Sequence, residues 1–270
     1  MTERPAISRV SSPATVVPAA SAALLRDRPS GLEVLLLRRS ATASFAPGAW
    51  VFPGGRVDPA DLGDPADLGD PADLGDPDDL GDPADLGDPD DSGQSADPGL
   101  DTSVELAAAR RAAVRETAEE AGLTIDGAEL TPVACWCPPA AAARRFLTWI
   151  LLGRAPDQDV VVDGGEITEH RWLRPADALA ARDRGEVDLL PPTWVTLWTL
   201  AARSGVADAL AAARAAPPEL FETQIDRAPG GLVAIWHGDA QYGDPAADAR
   251  EDARHRLWML DDGWRYERSS

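Results

Sequence analysis

The residues best placed to do chemistry lie in one stretch, Arg115-Glu116-Thr117-Ala118-Glu119-Glu120-Ala121-Gly122-Leu123. On an α-helix, Glu116, Glu119 and Glu120 fall within an arc of about 100°. Ala107, Val114, Ala118 and Ala121 fall on the opposite side. The pattern predicts a helix over 104–121 that packs through a smooth Ala/Val face and lifts three carboxylates together on the other. Like charges one helical turn apart cost a few tenths of a kcal/mol even when exposed. A solvated acidic face with nearby arginines is one reading. The other is a site for a hard divalent cation, which takes oxygen ligands and keeps waters for substrate phosphates. Thr102 with Glu105 three positions on forms a capping box at the helix start, and Gly122 stands where a C′ glycine should.

The rest of the composition narrows the chemistry. The chain has 270 residues, a net charge of −21 and a pI near 4.4. That length fits one large domain or one domain with an appendage. All 25 positive residues are arginine, which excludes lysine Schiff bases and a Walker-type phosphate loop. So acidic a chain has no bulk electrostatic grip on nucleic acid. No stretch reaches the roughly 18 uncharged apolar residues of a membrane span. Two cysteines, Cys135 and Cys137, and three histidines exclude a disulfide scaffold and a Cys/His zinc cluster. The N-terminus lacks the layout of a signal peptide, so a reducing cytoplasm is the expected compartment.

The elements that must position the glutamates follow from periodicity and turn residues. Residues 14–25 and 32–38 read as strands joined by a turn at Arg28-Pro29-Ser30-Gly31, and 48–53 as a short strand entering Gly54-Gly55. Strands are expected at 130–137, 145–153 and 166–173. Helices are expected at 176–183, 192–203 and 206–215, the first two beside prolines. A tail with short strand-like pieces (LVAIWH, HRLWML, WRYE) follows. Strands alternating with helices indicate an α/β layered domain. From Asp58 to Gly93 the chain repeats a hexapeptide six times, mostly DPADLG, with 14 Asp and no basic residue. This block carries two-thirds of the net negative charge. Low apolar content and high like charge favour a disordered, solvated spacer.

The segment 115–123 resembles the end of the Nudix box, R-E-U-x-E-E-x-G-U with U aliphatic, and departs from it at Thr117. Phe52-Pro53-Gly54-Gly55 resembles the strand and Gly-Gly entry to that box. The family's box runs from glycine through five residues to a Glu, then seven more to the Arg. The residue eight before Arg115 is Ala107, and Glu105 is the nearest candidate for that Glu. Long insertions here are similar to those of the coenzyme A diphosphatase subgroup. The resemblance, over roughly 14–203, implies an α/β/α sandwich with a mixed sheet. It implies residues 1–203 as the catalytic domain, with the acidic insert 58–101 inside it, and 204–270 as a small β-rich extension.

It also implies roles. Glu116 and Glu120 would be principal Mg²⁺ or Mn²⁺ ligands, and Glu119 a further ligand, directly or through water, with a part in catalysis. The carbonyl of Gly55 would complete the site, with Gly54 shaping the turn. Arg115 would orient a glutamate, and Gly122 would end the helix. A loop carboxylate, Glu166 or Glu169, would serve as base, unless both are ordinary strand residues. Leu36, Leu37, Arg39, Ser40, Gly48 and Phe52 to Gly55 match part of a coenzyme A diphosphatase pattern. Arg38 or Arg39 would then meet a ribose 3′-phosphate. The implied partner is a small nucleotide diphosphate: coenzyme A or an acyl derivative first, nucleotide sugars, dinucleotides or oxidised nucleotides second. A non-catalytic Nudix-like regulator is the reading from another class. Trp236, Trp258 and Trp264 suit a core, a substrate lid or a homodimer contact.

Overall fold

Two strands rich in aliphatic residues open the fold, β1 (Val16–Arg28) and β2 (Gly31–Arg39), paired as a hairpin through Pro29-Ser30. The structure, a computed structural model, describes residues 16–63, 103–142, 145–243 and 252–269. β3 (Trp50–Val51) pairs with β2, and β4 (Gly54–Arg56) lies against the first half of β1. A 3₁₀ turn over Pro59–Leu62 follows, and the chain is next described at α1 (Ser103–Ala121). The expected Thr102 cap and most of the acidic insert lie outside the described residues. Its first hexapeptide does not: Asp58 to Gly63 folds as that turn, so this unit is part of the domain and not of a spacer.

The remaining strands complete a mixed sheet. β5 (Thr131–Cys137), β6 (Arg145–Arg154) and β7 (Ile167–Leu173) were expected from their sequence. β8 (Glu219–Glu222) was not, being short with alternate charges. The order is β3-β2-β1-β6-β5-β8, with β4 beside β1 and β7 beside β2. β1 and β6 run parallel, as do β5 and β8; the other pairs are antiparallel.

Each strand sends alternate residues to opposite faces. Ala20, Ala22 and Leu24 of β1 pack with Leu151 against Ala109, Ala112 and Ala113 of α1. Ala23 and Leu25, with Ile150 and Trp136, meet the other layer. That layer holds α2 (Pro175–Asp183), α3 (Pro191–Ala201), α4 (Val206–Arg214) and a second sheet. The result is the expected α/β sandwich with a mixed sheet.

The second sheet is antiparallel, ordered β12-β11-β10-β9, from β9 (Gln224–Ala228), β10 (Gly231–Ile235), β11 (His255–Leu260) and β12 (Gly263–Arg268). It shares the main core. Trp136 stacks on Phe221 of β8 at 4.0 Å, and Trp236 meets both rings edge-on. Trp264 lies 6.1 Å from Trp194 of α3 and under the Arg182 guanidinium. Asp239 and Arg256 form a buried bidentate pair, and the same carboxylate accepts the backbone N–H groups of Gln241 and His255. Both cysteines are free. Among the described residues no helix is long and apolar enough to cross a membrane.

Candidate metal and substrate site

α1 turns two of its three carboxylates, Glu116 and Glu120, into the fold, where the sequence pattern placed all three outward. Ala118 is exposed, whereas Ala109, Ala112, Ala113, Thr117 and Glu120 are buried. The buried arc is centred near Glu116 and Glu120, and the helix packs that arc beneath β4. The two glycines there make this possible. A Cβ on Gly55 would collide with the Glu116 carboxylate, and one on Gly54 with the carbonyl of Ala20. With no side chains in the way, backbone closes directly over the acids. Glu120 accepts the Gly54 N–H at 2.8 Å. Burial pushes its carboxyl up to about 8, against the pull of that hydrogen bond and helped by the charge of Glu116. Burial also raises Glu116, opposed by Arg115 and reinforced by Glu119 and Glu166. Glu119 stands exposed at the rim.

Arg115 organises this cluster. Its Nη1 donates to Glu116 Oε1 at 2.8 Å and to Glu119 Oε2 at 3.3 Å. Its Nη2 donates to Asp61 Oδ2 at 2.8 Å and to the Arg56 carbonyl at 2.9 Å. Asp61 is buried, and its other contacts belong to its own turn, where it accepts the Asp58 N–H at 2.8 Å. Arg111 holds the carbonyls of Asp61 and Leu62. Desolvation would raise the Asp61 carboxyl, but Arg115, the Asp58 N–H and Arg111 hold it below the ordinary range. Asp61 therefore takes the part that the sequence reading sought at Glu105, which is exposed at the far end of α1. Counting forward from Gly55 through five intervening residues, in place of back from Arg115, reaches Asp61. The long insertion falls after this carboxylate, not before it. Gly122 ends the helix at φ +66°, its N–H bonded to Ala118 and that of Leu123 to Thr117.

The candidate bases separate. Glu166 lines the same cavity as the three helix glutamates. Its loop is folded around Asp163, whose carboxylate accepts the N–H groups of Gly165, Glu166 and Ile167. Those three donors keep the Asp163 carboxyl below its usual range against a desolvation that would raise it. Glu169 is elsewhere. It faces Arg38 across the β2–β7 pair and is held by Arg38 at 3.4 Å and Arg171 at 2.8 Å. The same pairing takes Arg38 off the cavity. A register shift between Arg38 and Arg39 puts Arg39 on its wall, with Nε donating to the Phe45 carbonyl at 3.1 Å. Glu169 and Arg38 thus lie outside the cavity lining, and two carboxylates not singled out in the sequence, Asp61 and Asp163, hold Arg115 and the Glu166 loop.

The cavity encloses about 840 Å³, within the range of small-molecule sites. Glu116, Glu119, Glu120, Glu166, Arg39 and the β4 glycines form one end of it. The donor set is all oxygen and suits a hard divalent ion, and the Gly55 backbone lies against the principal carboxylate. Among the described residues no three acidic, Cys or His side chains already converge on one point. Glu116 and Glu119 are turned to Arg115, and Glu120 to the Gly54 N–H.

Two family models match the chain: the NUDT19 Nudix domain over residues 11–135 and the NUDIX domain over 105–191. The chain carries a Nudix domain and is a Nudix-type hydrolase. Among solved structures, a NUDIX hydrolase from Alicyclobacillus acidocaldarius aligns at 22% identity and a TM-score of 0.52, over 74% of this chain and 97% of that one. It shows the same fold. An Ap4A hydrolase from C. elegans aligns at 22% identity and 0.38, over 69% and 96%. A MutT NUDIX hydrolase from Burkholderia pseudomallei aligns at 18% and 0.40, over 68% and 97%. No curated protein matches the chain.

Proposed function

We propose that this chain cleaves the diphosphate linkage of coenzyme A or an acyl-coenzyme A, with Mg²⁺ or Mn²⁺ as cofactor, and does so in the cytoplasm. The observation that carries the reading is the gathering of Glu116, Glu119, Glu120 and Glu166 beside Arg39 at one end of a large cavity. Glu116, Glu120 and the Gly55 carbonyl would hold the ion, with Glu119 beside them. Bound there, a divalent ion would clamp the diphosphate oxygens and ease the attack of water. Arg115 holds Glu116 in place, and Asp163 holds the Glu166 loop. Glu166 takes the proton of the attacking water. The P–O–P bridge breaks, leaving 3′,5′-ADP and a 4′-phosphopantetheine product. Arg39 receives the ribose 3′-phosphate.

A hydrolysis screen of coenzyme A, acyl-coenzyme A, ADP-ribose, nucleotide sugars and NADH with each metal tests this. Arg39→Ala should raise KM for coenzyme A about tenfold, roughly 1.4 kcal/mol, with a smaller effect on dephospho-coenzyme A. Turnover of other nucleotides with none of coenzyme A or its esters would reassign the substrate.

A further inference from the structure

The cavity is longer than a diphosphate needs, and its two ends differ in chemistry. Its floor crosses the sheet over β4, β1, β6 and β5 towards Thr223 at the end of β8, and the register fixes the path. Gly54 faces Ser21, Ser21 faces Ile150, Thr148 faces Trp136, and Trp136 faces Phe221. Four strand spacings of about 4.8 Å place β8 roughly 19 Å from the β4 glycines. That is the length of about five or six residues of extended chain. Along the way the floor is kept low by small side chains, Ala19, Ser21 and Thr148.

Among the described residues, every charged one that lines the cavity comes from the near side: β2, β4 and the turn after it, α1, or the loop 163–166. The described lining residues from β5, β6, α3 and the β8–β9 segment carry no charge. The far end is lined by Trp136, Pro138, Pro139, Pro192 and Ile225. Ile225 belongs to β9 of the second sheet and is 37% exposed, an aliphatic side chain facing an open space. Thr223 is its neighbour on the same wall.

We infer that this far end is an acyl subsite. It receives the hydrocarbon chain of an acyl-coenzyme A whose extended arm runs along the floor from the diphosphate at β4, and β9 is the element that sets chain preference. The inference rests on the coenzyme A reading. The distance suits a long arm and not a second nucleoside held beside the metal helix. The uncharged lining at the far end, where the Arg145 guanidinium is turned to Cys137 Sγ and the Pro138 carbonyl, suits a chain that brings no polar group for the wall to satisfy. Ile225 offers apolar area that is exposed until such a chain covers it.

The test compares binding of coenzyme A and octanoyl-coenzyme A by calorimetry in chelator, where no turnover occurs, with kcat/KM for both in Mn²⁺. Wild type should bind the octanoyl ester at least tenfold more tightly than coenzyme A. Ile225→Glu, which places a charge in the subsite, and Ile225→Trp, which fills it, should each bring that ratio down to about one. Because Ile225 is partly exposed, both variants should keep the wild-type melting temperature to within a few degrees. A wild-type ratio below threefold, or a tenfold ratio that survives both substitutions, overturns the subsite and leaves coenzyme A as substrate. Absence of binding and cleavage for both ligands, with turnover of another nucleotide, overturns the substrate reading and the subsite with it.

Discussion

Asp61 and Arg115 stand 54 positions apart, yet the carboxylate meets the guanidinium at 2.8 Å and 3.3 Å, through both of its oxygens. Through this contact the first unit of the acidic repeat is fastened to the helix after it. Arg115 has its remaining nitrogen on Glu116 and Glu119, so the pair also fixes where two of the site carboxylates can lie.

Asp61→Asn should therefore act on stability and on turnover together. Asp61 is buried, and removing its charge leaves Arg115 half-compensated. A loss of about 2 kcal/mol is expected, below the 3–5 kcal/mol of a fully buried pair because Arg115 is partly exposed. kcat should fall about tenfold, with KM less affected. Asp61→Glu keeps the charge and should restore most of kcat. If Asp61→Ala unfolds at the wild-type temperature and turns over at the wild-type rate, the pair does not position the site.

The same contact sets what can be cut from the repeat. Deleting Asp64 to Gly93 leaves residues 94–102 to join Gly63 to α1. Gly63 lies beside the Arg111 guanidinium, about 12 Å along the helix from its start. Nine residues span up to about 30 Å. Closure of a shorter loop changes stability by only about 0.6 kcal/mol per halving. That deletion should leave kcat within threefold, whereas one that begins at Asp58 should abolish folding or activity. Loss of folding on removing 64–93 alone would give the repeat a structural part.

How far the sequence led is clear at particular residues. β1, β2, β3, β5, β6 and β7 of the main sheet and α1 to α4 were legible, because aliphatic periodicity and flanking prolines and glycines are local. β8 and β9 were not, since ELFETQIDRA owes its place to Trp136 and to the strands beside it. Glu116, Glu119 and Glu120 were readable as a set. Their orientation was not, because helical geometry alone places acids outward. Only the side-chain-free Gly54-Gly55 strand lets α1 bury that arc. Glu166 and Glu169 look equivalent in sequence, but Glu166 lies in the loop before β7 and lines the cavity, while Glu169 lies on β7 in an ion pair.

Thr117 is the residue where the Nudix pattern expects an aliphatic side chain, and it is fully buried with its hydroxyl unpartnered by protein. An unsatisfied buried hydroxyl costs about 1–3 kcal/mol, and valine has nearly the same shape without it. Thr117→Val should raise stability by about 1 kcal/mol in denaturant titration, with kcat within twofold. A destabilisation of that size would show that the hydroxyl has a partner such as an internal water.

The two loop carboxylates give the sharpest contrast in activity. Glu166→Gln should lower kcat about 10²-fold or more, the usual scale for a general base, with the fold intact because Asp163 still holds the loop. Glu169→Gln should leave kcat within threefold, costing only exposed pairs with Arg38 and Arg171 worth under about 1 kcal/mol. Steady-state rates of both variants on one substrate decide it. An inversion of the two effects would move the base to β7.

Acid should reveal the pair that braces the second sheet. The Asp239 side chain is wholly buried, and it accepts two nitrogens of Arg256 and two backbone N–H groups. Desolvation works to raise its carboxyl, but Arg256 and those backbone donors win and hold it below the ordinary range. A carboxylate whose folded value lies below its unfolded value of about 3.9 stabilises fully above that pH. The contribution is lost as pH falls through the folded value. Asp239→Asn keeps the shape but leaves Arg256 buried without its counter-charge, a cost of about 3 kcal/mol at pH 7. The gap between wild type and variant should stay constant from pH 7 to about 5 and narrow below about 4. Urea titrations at pH 7, 5 and 3.5 measure it. A gap that is unchanged at pH 3.5 would mean that folding does not lower the Asp239 carboxyl, and a gap under 1 kcal/mol at pH 7 would mean that the pair does not brace β10 and β11.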